Sequence, residues 1–62
     1  MDKQAIVRLI VRLSSKEPTL YIIEAIQLLN TALLLYEEDR TLSTLLYSRA
    51  LKLLTATNKE EQ

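Results

Sequence analysis

No glycine occurs in this chain, and its one proline is Pro18. Tight β-hairpins favour residues that tolerate positive φ, glycine first among them. An all-β chain without glycine would lack its usual turns. Leu, Ala, Glu, Lys, Arg and Gln dominate instead, and these are good helix formers. The absence of glycine also removes Gly-rich phosphate loops and dinucleotide-binding turns.

Two further absences narrow the chemistry. With no Cys there are no disulfides, thiolate nucleophiles or thiolate metal ligands. With no His there is no imidazole base and no imidazole metal site. Carboxylates, Lys, Tyr and hydroxyls remain, on a scaffold of 62 residues. We expect no enzyme, no cofactor and no metal. The chain is 48% apolar, too much for a disordered segment. Yet a domain this short buries only about 60% of its unfolded surface, and such domains often gain stability by oligomerising. No secretory signal is visible in the first residues, so a cytoplasmic location is the default expectation.

Three amphipathic segments emerge. In the first, Ile6, Leu9, Ile10 and Leu13 follow the i, i+3, i+4, i+7 spacing of one helical face. Ala5, Val7 and Val11 widen the apolar arc to about 240° of the wheel, so this helix needs cover on two sides. Asp2 is placed to cap its N-terminus. Pro18 then breaks the chain and fits the first turn of a second helix, with Ser14, Ser15 and Thr19 as competing caps.

The second segment carries the stripe Ile22, Ala25, Ile26, Leu29, Ala32, Leu33 and Tyr36. The spacing 22–25–29–32–36 alternates three and four, as a coiled-coil seam does. Ala25 and Ala32 lie seven apart, where another helix can approach closely. Ile23 and Leu34 fall off the main face. Glu24, Gln27, Asn30 and Thr31 form a polar strip that interrupts any membrane span, which needs about 20 mostly apolar residues. In the third segment Leu42, Leu45, Leu46, Ala50, Leu53 and Leu54 carry the stripe, widened by Tyr47 and Leu51.

The expected fold is all-α: a small bundle of two to three antiparallel helices, completed by homodimerisation. Helices are expected over about 3–14, 18–37 and 41–57 of one domain spanning 1–57, with a frayed polar tail at 58–62. The self-interface is expected on the seam Ile22, Ala25, Leu29, Ala32 and Tyr36, with Ile6 and Ile10 from the first helix, because all three apolar arcs exceed what one small core covers.

The stretch EAIQLLNTALLLYEED resembles the second helix of a tetratricopeptide repeat, with Ala25, Leu29 and Ala32 at its packing positions. It departs where Glu37 replaces the usual Pro and where Leu13 and Leu46 replace small residues. The likeness covers about a quarter of the chain, and such folds need about three repeats for stability. It implies an α-hairpin and assigns no family.

Charge is sorted along the chain. Residues 1–16 carry +3, residues 17–39 carry −5 without any Lys or Arg, and residues 40–62 carry +2. Gln4, Arg8, Arg12 and Lys16 recur every fourth residue as a polar stripe that would suit an anionic partner. Zero net charge argues against strong nucleic-acid binding. Glu37, Glu38 and Asp39 are adjacent carboxylates that do not converge on one cation, and their place before the third helix suits its N-terminus. Ser48 and Lys52, at i and i+4, recur by chance on any polar helix face.

The expected function is that of a non-catalytic protein–protein interaction module, an adaptor, chaperone or regulator working as a homo-oligomer. The alternative is a small dimeric nucleic-acid-binding regulator using Arg8, Arg12 and Lys16. The partners expected are a second copy and another protein, with no membrane span.

Overall fold

The computed structural model describes the backbone of residues 2–61 and the side chains of residues 2–56. The described chain is helical, with three helices: α1 (Lys3–Ser14), α2 (Leu20–Leu35) and α3 (Arg40–Glu61). No strand occurs among the described residues.

Each helix begins at a side-chain cap. Asp2 Oδ1 accepts from the Ala5 amide at 2.8 Å, as its position suggests. Thr19, rather than Ser14 or Ser15, starts α2: its Oγ1 accepts from the Ile22 amide at 3.2 Å. Ser15 instead closes α1, its hydroxyl donating to the Arg12 carbonyl at 2.8 Å. Asp39 Oδ1 accepts from the Leu42 amide at 3.0 Å and starts α3 one residue before the expected position.

The ends of α2 and α3 differ from expectation. Helix α2 begins at Leu20 and stops at Leu35, inside the expected 18–37, where the last turn tightens and the Tyr36 amide donates to the Leu33 carbonyl. Helix α3 continues to Glu61 instead of ending at Thr57. Lys59, Glu60 and Glu61 are good helix formers, and neither glycine nor proline stops the run. Of the tail expected at 58–62, Gln62 and the side chains of 58–61 lie outside what the structure describes.

Helix α2 is the centre of the bundle: α1 packs on it, α3 packs on it, and α1 and α3 barely touch. Successive helices run antiparallel, as the short turns require. Lys3 at the start of α1 reaches Glu37, just past the end of α2, with Nζ to Oε1 at 4.0 Å. The Ser43 hydroxyl donates to the Ala32 carbonyl at 2.7 Å, bringing the start of α3 against the end of α2.

That bond also sets the register of the α2–α3 hairpin. Seven residues back along α2 and seven forward along α3, Ala25 comes level with Ala50. Ala25, Ala32, Ser43 and Ala50 are all fully buried. Two layers of small side chains, two turns apart, therefore let the backbones approach. Leu29 fills the space between these layers, and Ile6, Leu13 and Tyr36 complete the buried core.

Candidate interaction surface

The residues expected to meet a second copy are placed inside the single chain. Ile6, Ala25, Leu29 and Ala32 have no exposure, Tyr36 is buried, and Ile10 and Ile22 are half-buried against them. The seam is closed by the chain's own α1 and α3. The sequence showed how much apolar surface needs cover, and the covering helices turn out to be its neighbours. Within the single chain this seam is occupied, and the apolar surface left over lies elsewhere.

Such surface exists. Leu20 is 84% exposed, Leu34 80%, Val11 65% and Leu45 61%. Tyr21, Ile23, Leu42 and Leu51 are also exposed. On α2, Leu20, Ile23 and Leu34 share the outer side with Gln27, as expected for Ile23 and Leu34. On α3, Leu42 and Leu45 stand on the edge of a groove that also holds Arg49 and Lys52.

The basic residues of α1 are exposed. Gln4, Arg8, Arg12 and Lys16 are all exposed, and Arg8, Arg12 and Lys16 form no ion pair among the described residues. Gln4, Arg8 and Arg12 share the side of α1 away from the buried Ile6 and Leu13, and Lys16 follows just past the end of α1.

The acidic cluster is used locally. Asp39 caps α3, Glu37 pairs with Lys3, and Glu38 is exposed in the turn. No group of His, Cys, Asp or Glu among the described residues is placed to hold a metal ion. Ser48 and Lys52 are exposed on the groove edge, and no hydrogen bond joins them among the described residues.

Arg40 links the turn to the bundle. Its guanidinium carbon lies 4.0 Å from the centre of the Tyr36 ring, and its Nε donates to the Tyr36 carbonyl at 3.1 Å. The cation thus meets both an aromatic face and the negative end of α2.

Family models, curated proteins and solved structures give no match to this chain. No described helix is long and apolar enough to cross a membrane.

Two features were not read from the sequence. Ser43 is buried at the centre of the α2–α3 contact, although serine reads as a surface residue. Its signal was the spacing to Ala50, seven residues, which matches that of Ala25 to Ala32. Arg40 is the other, and its signal was position alone: a cation at the end of one helix, four residues after an aromatic.

Proposed function

We propose that this protein is a non-catalytic protein–protein interaction module that works as a homo-oligomer. The observation that supports it is the apolar surface left after the core is complete. Eight large apolar side chains stay exposed, and they belong to all three helices. Where such side chains lie together they mark association sites.

The extents of 37 × 19 × 16 Å describe an elongated body. Sedimentation velocity over a hundredfold concentration range tests the reading. Self-association supports it. A monomer throughout, with no binding of an apolar-surface dye, removes its basis.

A second reading rests on a separate observation, the unpaired row Arg8, Arg12 and Lys16. In a dimer this row is doubled and would contact a nucleic-acid backbone. Its test is a mobility shift on duplex DNA and RNA at about 50 mM salt, with binding that weakens steeply as salt rises. No shift disposes of it.

A further inference from the structure

The α2–α3 hairpin has two sides, and α1 covers one. Ile22, Ile26 and Leu33 share one side of α2 and are partly buried against the core. Leu28 lies about 140° round the helix from Leu33. There a groove runs between α2 and α3, lined by Glu24 and Leu28 from α2 and by Arg49, Lys52 and Leu53 from α3. At Arg49 and Lys52 it joins a second hollow, lined also by Leu42, Leu45 and Leu46. No α1 residue lines either hollow.

The first hollow is lined by two leucines and three charged side chains, and the second, wholly on α3, by three leucines with Ser48, Arg49 and Lys52. Glu24, Arg49 and Lys52 are exposed and form no ion pair within the chain among the described residues. The Ser43–Ala32 bond fixes their heights. Eight residues back from Ala32, Glu24 comes level with Leu51, between Arg49 and Lys52.

We propose that a second copy of this chain covers this groove, the two grooves facing each other. A two-fold axis parallel to the helices lays α2 of one copy along α3 of the other and keeps every residue at its own height. Glu24 of each copy then faces Arg49 and Lys52 of the other. A two-fold interface is isologous, so this pairing occurs twice. Leu28 of each copy then faces α3 of the other, and Leu42 and Leu45 face its α2, in a four-helix arrangement with each α1 on the outside.

Two helices side by side, about 24 Å long and about 20 Å wide, give a flat footprint of about 480 Å² per copy, the size of a small interface. An unrelated partner would need its own acidic and basic groups in this order. A second copy carries them already.

This inference rests on the homo-oligomer reading, and the experiment separates the two. Sedimentation velocity is run on the wild type, on Leu45→Glu in the groove and on Leu34→Glu on the outer side of α2. Both leucines are exposed, so helical circular dichroism should be unchanged. We expect Leu45→Glu to raise the dimer dissociation constant more than about a hundredfold, because it acts at two symmetric places, and Leu34→Glu to leave it unchanged. Charge reversal supplies a second arm. Glu24→Arg alone and the pair Arg49→Glu with Lys52→Glu alone should each weaken the dimer, and an equimolar mixture of the two proteins should restore it. A wild type that stays monomeric overturns both readings. A dimer that resists Leu45→Glu, or whose charge-reversed forms do not rescue each other, overturns this interface and leaves the homo-oligomer standing.

Discussion

The hydroxyl of Ser43 and the carbonyl of Ala32, eleven residues apart in sequence, meet at 2.7 Å in the fully buried contact between α3 and α2. A buried polar group without its partner costs more than a made bond contributes, because it has lost water and gained nothing. Replacing Ser43 by Ala removes the donor and should lower stability by about 1–2 kcal/mol. A chain of this length has only about 3–9 kcal/mol in all. A fall in the urea midpoint, with unchanged slope, checks it.

Close approach at the small layers gives the next expectation. Leu in place of Ala25 or Ala50 has no room between the backbones and should cost about 1–3 kcal/mol or more. Leu20→Ala, on a side chain 84% exposed, should stay within about 0.5 kcal/mol. Thermal melts of the three variants, followed by circular dichroism, make the comparison.

Ile6 is the main anchor of α1, since it is fully buried and α1 touches little besides α2. Ile6→Ala should cost about 2–5 kcal/mol. That is enough to release α1 before the hairpin melts. Amide exchange should show faster exchange in 3–14 than in the centres of α2 and α3.

Arg40→Ala removes both the contact with the Tyr36 ring and the bond to the Tyr36 carbonyl. The loss should be about 1–2 kcal/mol. Arg40→Lys keeps the charge but not the planar fork, and should recover only part of it. Chemical denaturation of both variants tests the order.

Asp39→Ala removes the cap of α3 and should cost about 1 kcal/mol. Glu38→Ala, in the same turn and exposed, should change little. Paired melts separate a capping role from a general effect of negative charge.

Much of this arrangement is legible in the sequence because it depends on periodicity. Ile6 and Leu13, seven apart, read as one face and are both buried. Ala25, Leu29 and Ala32 read as the centre of α2 and are its centre. Asp2 reads as a cap because aspartate has one common use before a helix. What periodicity does not carry is the identity of the opposing surface. The width of the apolar stripe on α2 called for cover, and a second copy and the chain's own α3 satisfy that demand equally well at the level of pattern. In the single chain Ser43, a small donor in the right layer, lets α3 come close to α2. On α3 the expected stripe holds Ala50, which is buried, beside Leu42 and Leu45, which are exposed, and it lacks the buried Ser43. Size complementarity, not hydrophobicity, selects Ser43 and Ala50.

The central position of α2 bears on how fast the chain finds its structure. Every substantial helix contact joins sequence neighbours: α1 with α2, and α2 with α3. No distant segment has to be brought back across the molecule, so the loop-closure entropy before each contact is small. Helical proteins with such local topology fold in microseconds to milliseconds. A transition state built on the Ser43–Ala32 turn, with α1 docking afterwards, places the early contacts in the hairpin. Substitutions there should slow folding, while Ile6→Ala should chiefly speed unfolding.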